Sequence, residues 1–215
     1  MKYIQQLLLE SLNYIQILCA VTAVFKFKTV KNSFWKWFVY YLILIAVFDY
    51  LGKFLVELNP ELNIYFYDYF VIPFEFLFLF WLYSKSLRKP KLLYVLSAVY
   101  LVSFVPHLFY DDKILFTNSL SYTVGNFIIL IFVFLEFNKQ IQTDEILNFK
   151  TNRMFYINFG VMFFYVGTLP LFAFYEYLAQ NLPDLLSYYY TFFLIANCTM
   201  YILFATSFIC GKQNS

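Results

Sequence analysis

Long apolar runs alternate with short polar intervals along the whole chain. The apolar runs cover residues 3–25, 37–58, 64–83, 92–109, 115–137, 154–177 and 186–209. Each is close to the roughly 20 residues that an α-helix needs to cross a bilayer core. Inside hydrocarbon, only helices and closed barrels satisfy every backbone amide and carbonyl. The pattern therefore predicts an all-α, polytopic integral membrane protein, a single domain over residues 1–215 built as a seven-transmembrane helix bundle. The polar intervals carry ordinary breakers, LNPELN at 58–63, KSLRKPK at 85–91 and NLPD at 181–184, and Pro90 helps to stop the third run.

The first run is expected to stay as a helix rather than serve as a cleaved signal. It contains Glu10, only Lys2 precedes it, and no A-x-A-like site follows. The IQIL before Cys19 is also a poor lipoprotein cleavage site.

Composition sharpens this picture. The chain has 215 residues, of which 62% are hydrophobic, 25% aromatic and 13% charged, with a mean hydropathy of +0.66. A soluble domain carries about 25% charged residues. The abundance of Phe, Tyr, Lys and Asn points to an AT-rich bacterial gene, and so to a plasma (inner) membrane. No basic run is long enough for direct nucleic-acid binding. The three cysteines, Cys19, Cys198 and Cys210, show no CxxC spacing and are expected as small core residues.

Charge orients the bundle. With seven spans, twelve of the fifteen Lys and Arg share one side with the C-terminus: Lys26, Lys28, Lys31, Lys36, Lys85, Arg88, Lys89, Lys91, Lys139, Lys150, Arg153 and Lys212. The positive-inside rule puts that side in the cytoplasm and the N-terminus outside. Trp35 and Trp37 are expected at the membrane interface.

The candidate site lies in 48–75, where Asp49, Lys53 and Glu57 follow one another at four-residue intervals and Asp68 and Glu75 are seven apart. Each set shares a helical face. A polar turn at Asn59–Asn63 makes the two helices antiparallel neighbours. Ionisable groups inside hydrophobic spans are costly and mark functional sites by default. Glu10 and Asn13, His107, Glu176, the Asn118–Ser121–Tyr122–Asn126 group, and Asn197 with Thr199 join them in the outer half or mid-span. The proposed ligand- or ion-binding set is Asp49, Lys53, Asp68, Glu75, Glu57, Glu10 and Asn197, rich in carboxylates and suited to a cation, a protonated amine or protons.

A structural reading competes with this one. Lys53 can pair internally with Asp49 or Glu57, while Glu57, Glu176 and Glu10 can snorkel to the outer interface. His107 beside Pro106 reads as interfacial. Pro73 can kink the third helix and free a carbonyl near Glu75, and Gly160 and Gly167 share a face that permits close packing.

No phosphate loop, HExxH pair, GxSxG elbow or GxGxxG fingerprint occurs. No catalytic residue, metal or cofactor is expected. The seven-helix layout with an external N-terminus resembles the microbial rhodopsins in topology alone, because the last span has no lysine for a retinal Schiff base. Three function classes stay open. The first is a sensor or accessory protein that docks a cytoplasmic or membrane protein partner, with the bilayer and homo-oligomers as further contacts. The second is a transporter, proton or cation channel, or oligomeric pore. The third is a membrane-embedded enzyme acting on lipid.

Overall fold

The computed structural model describes residues 2–105 and 119–211, and among them every regular element is helical. The elements are α1 (Lys2–Phe25), α2 (Phe27–Val30), α3 (Trp35–Leu58), α4 (Pro60–Phe66), a π-turn (Tyr67–Val71), α5 (Ile72–Leu87), α6 (Pro90–Val102), α7 (Ser119–Gln142), a 3-10 segment (Glu145–Thr151), α8 (Arg153–Ala173), α9 (Tyr175–Asn181) and α10 (Pro183–Cys210). Among the described residues, six helical stretches are long and apolar enough to cross a membrane: Tyr3–Phe25, Trp35–Leu58, Pro60–Leu87, Leu120–Gln142, Arg153–Ala173 and Pro183–Cys210. That is the mark of a multi-pass membrane protein. The run at 92–109 is met by α6, an apolar helix of 13 residues that is too short for this criterion. The end of that run, with His107, and Asn118 lie outside the described residues, as does the side chain of Glu176.

Side-chain bonds fix the relative directions of the helices. Gln5 Nε2 at the start of α1 donates to Ser187 O and Thr191 Oγ1 near the start of α10, so these two helices run parallel. Lys139 Nζ near the end of α7 donates to Ser86 O at the end of α5, so these two are parallel as well. The end of α5 and the start of α7 therefore lie at opposite ends of the bundle. α6 leads from the first of these ends toward the second, and beyond its end Ser103 O accepts from Ser121 Oγ. Arg153 at the start of α8 meets Ser207 and Gly211 at the end of α10, which makes α8 antiparallel to α10. Lys26, Lys28, Lys31, Lys36, Lys85, Arg88, Lys89, Lys91, Lys139, Lys150 and Arg153 consequently gather at one end, called here the basic end.

The joints have local causes. The turn expected at Asn59–Asn63 shrinks to one residue. Asn59 is extended (φ −160°), its side chain accepts from Glu61 N at 2.9 Å, and Pro60 opens the next helix. At the far end of α5, Arg88 adopts the left-handed region (φ 57°). Arg88 N donates to Lys85 O and Lys89 N to Ser84 O, a Schellman closure that Pro90 follows. Pro73 produces a wide turn rather than a simple kink. It has no N–H to give and its ring crowds the carbonyl four residues back, and the π-turn at Tyr67–Val71 lies just before it.

The core between the cavity described below and the basic end is aromatic. Tyr41 stacks on Phe78 with centroids 4.2 Å apart, and Phe38 meets Phe204 at 5.2 Å and Phe208 at 5.5 Å. Gly160 and Gly167 both face α10, where a Cβ on Gly160 would stand 3.4 Å from the Met200 backbone and one on Gly167 would enter the Phe192 ring. Trp37 is exposed, as an interfacial ring would be, but Trp35 is buried beneath Arg153.

Candidate functional site

A cavity of about 450 Å³ lies among the helices in the half of the bundle away from the basic end. On α1 the wall is Leu9, Leu12, Asn13 and Gln16, and on α3 it is Asp49, Gly52, Lys53 and Val56. Both sets follow the i, i+3, i+4, i+7 spacing of one helical face. The third wall, on α4, the π-turn and α5, includes Asn63, Tyr67, Asp68 and Glu75; the fourth, on α10, includes Tyr190, Asn197 and Tyr201. Tyr122 of α7 and Phe164 and Phe172 of α8 close the remaining side.

Five of the seven proposed site residues, Asp49, Lys53, Asp68, Glu75 and Asn197, therefore share one cavity. The other two do not reach it. Glu10 is exposed and accepts from Gln6 Nε2 at 3.2 Å, one position past the α1 stripe, and Glu57 is exposed one position past the α3 stripe. Residues eight apart on a helix are offset by about 80°, so Glu57 has turned away from the face that Asp49 occupies. Asn13 and Tyr122 line the cavity. Asn126 is wholly buried but not in the wall, and Thr199 bonds back to Ile195 O within its own helix.

The polar groups are graded by depth. α3 climbs away from the basic end, which puts Lys53 about 6 Å further out than Asp49 at 1.5 Å per residue. Glu75, twelve residues before the end of α5, lies about 18 Å above that end by the same rise, near the middle of the apolar stretch Pro60–Leu87. Tyr67 Oη donates to Asp49 Oδ1 at 2.8 Å. The Tyr67 ring lies against Gly52, where a Cβ would stand 2.6 Å from Tyr67 Cε2. Lys53 forms no ion pair with Asp49 or Glu57, so the internal lock expected from the spacing is not formed. Glu75 has Asp49 as its charged neighbour and the tyrosines Tyr41, Tyr122, Tyr165 and Tyr201 around it. Among the described residues, no hydrogen bond or ion pair reaches its carboxylate. Asn63 Oδ1 and Asn197 Oδ1 are likewise buried without a partner. Among the described residues, no group of three His, Cys, Asp or Glu stands ready to hold a metal ion.

Gln16, Gly52 and Tyr67 belong to the wall and were not in the proposed set. The signal that finds them is the helical stripe, which selects by position rather than by charge.

A second buried polar group sits at the basic end. Glu136 is fully buried, and its Oε1 accepts from Gln140 Nε2 at 3.2 Å and from Lys139 Nζ at 3.4 Å. One layer further in, Tyr83 Oη donates to Asn158 Oδ1 at 2.8 Å, and Asn158 Nδ2 to Val133 O at 3.3 Å. Arg153, expected in a polar loop, is 1% exposed. It donates to Ser207 O and Gly211 O and lies over the rings of Trp35 and Phe208 at 5.2 and 5.5 Å. Its cation thus caps the carbonyl end of α10.

Compared with protein-family models, curated proteins and solved structures, the chain matches none of them.

Proposed function

We propose that the chain is a small multi-pass protein of a bacterial plasma (inner) membrane that binds a small ligand in its interhelical cavity and passes occupancy to a protein partner at the cytoplasmic, basic end. One observation carries this reading: the cavity groups intramembrane Asp49, Asp68 and Glu75, and packed rings fill the bundle between Glu75 and the basic end. Intramembrane acids are retained where they serve a site. A volume of about 450 Å³ is in the range of small-molecule pockets. The seven-span, N-out topology is supported by the antiparallel course of α6 between α5 and α7 and by the gathering of bases at one end. A ligand then enters from outside, and the basic loops are the surface left for coupling.

A carrier or channel is the second reading, favoured by one feature. Tyr83–Asn158 and Glu136–Gln140 continue buried polarity into the basic half. Proton and cation flux in proteoliposomes, comparing the wild type with Glu75→Gln and Asp49→Asn, separates the two. The binding reading expects no flux and unchanged thermal stability in both variants. Flux that the substitutions abolish makes the protein a transporter.

A further inference from the structure

The deep half of the cavity holds acidic and amide oxygens, and its lining there includes no basic side chain. Among the described residues no hydrogen bond or ion pair reaches the Glu75 carboxylate, which lines the cavity, and Asn197 Oδ1 is buried without a partner. Tyr67 Oη is committed to Asp49 and Asn13 Nδ2 to Leu9 O at 2.7 Å, and the other donors of the lining, such as Gln16 and Tyr201, are uncharged. The exposed cation, Lys53, stands on the outer side of Asp49. A buried acceptor left without a donor is unfavourable, so this arrangement favours an occupant that brings N–H groups and positive charge. The remaining wall is apolar, aliphatic side chains alternating with rings that include Phe164, Phe193 and Tyr201. Ring faces attract cations and shelter apolar bodies. A bare inorganic cation would leave most of about 450 Å³ unfilled.

We infer that the cavity takes an organic ammonium ion with an apolar body, its N–H groups donating to Glu75 and to Asn197 Oδ1 and its body held among the aromatic side chains. This rests on reading the cavity as a ligand site.

The test is calorimetric titration of the purified full chain in detergent with three probes of matched shape: 2-phenylethylammonium, neutral 2-phenylethanol and 3-phenylpropionate. The ammonium ion should bind saturably and at least tenfold tighter than the alcohol, since a hydrogen bond to a charged group contributes about ten- to a hundredfold. The carboxylate should be rejected. Glu75→Gln should weaken the ammonium ion at least tenfold and leave the alcohol's affinity unchanged. Lys53→Met, at an exposed position, keeps the test open if Glu75→Gln fails to fold, and should tighten the ammonium ion about threefold by removing a like charge. Equal binding of alcohol and ammonium ion overturns the inference while the cavity stays a ligand site. An ammonium affinity that neither variant moves also overturns it. Failure of all three probes to bind overturns both the inference and the ligand-site reading beneath it.

Discussion

Tyr67 reaches Asp49 because Gly52 leaves room for it. The phenol ring crosses the face of α3 where any side chain at position 52 would stand, and its hydroxyl donates to Asp49 Oδ1 at 2.8 Å. Gly52→Ala puts a methyl group 2.6 Å from Tyr67 Cε2 and Oη. The ring has to move, and the overpacking costs about 1–3 kcal/mol. Tyr67→Phe keeps the ring and removes the donor, costing about 1–2 kcal/mol. Thermal unfolding in detergent should show both losses. If Gly52→Ala leaves the melting temperature unchanged, the ring does not sit where this geometry puts it.

Arg153 should be irreplaceable by lysine. Its guanidinium serves two carbonyls at the end of α10 while lying over Trp35 and Phe208. An ammonium group cannot match that planar fork. Arg153→Lys is expected to cost about 2–3 kcal/mol and to make the end of α10 more susceptible to protease. Stability equal to the wild type would return Arg153 to the polar loop.

Tyr83 and Asn158 should be energetically coupled. Both are fully buried and joined at 2.8 Å. Tyr83→Phe strands Asn158 Oδ1 and costs about 1–3 kcal/mol. In a double-mutant cycle with Asn158→Leu, the two losses should fall short of additivity by about 1 kcal/mol. Strict additivity would show that the bond contributes nothing.

The cysteines report topology. Cys19 and Cys198 are buried and Cys210 is exposed, at the basic end of α10. A membrane-impermeant maleimide should label Cys210 in inside-out vesicles and spare it in intact cells, and Cys210→Ser should abolish labelling. Labelling of intact cells would reverse the proposed orientation.

The helices were legible because hydrophobic runs of membrane length leave the backbone no other way to satisfy itself. The convergence of Asp49, Lys53, Asp68 and Glu75 was legible too, because spacings of four and seven keep residues on one face. Glu57 shows the limit of that rule: eight residues accumulate enough rotation to carry a side chain off the cavity wall. Gly52 and Tyr67 were not legible as a pair, since their fit depends on where two helices touch and not on either helix alone. Arg153 was misplaced for a related reason. A basic residue just before an apolar run reads as loop, and only the packing of α8 against α10 brings two free carbonyls within its reach.

The depth of Glu75 carries an electrical consequence. A cation that travels from the outer mouth to a carboxylate near mid-membrane crosses roughly half of the transmembrane potential. A full crossing corresponds to about 2.3 kcal/mol per elementary charge at 100 mV, so half of it amounts to about 1.2 kcal/mol. Occupancy at Glu75 would then change about sevenfold between an energised and a depolarised membrane at constant external concentration. A pocket closed toward the cytoplasm would thus read two quantities at once: how much ligand is outside, and how well the membrane is charged.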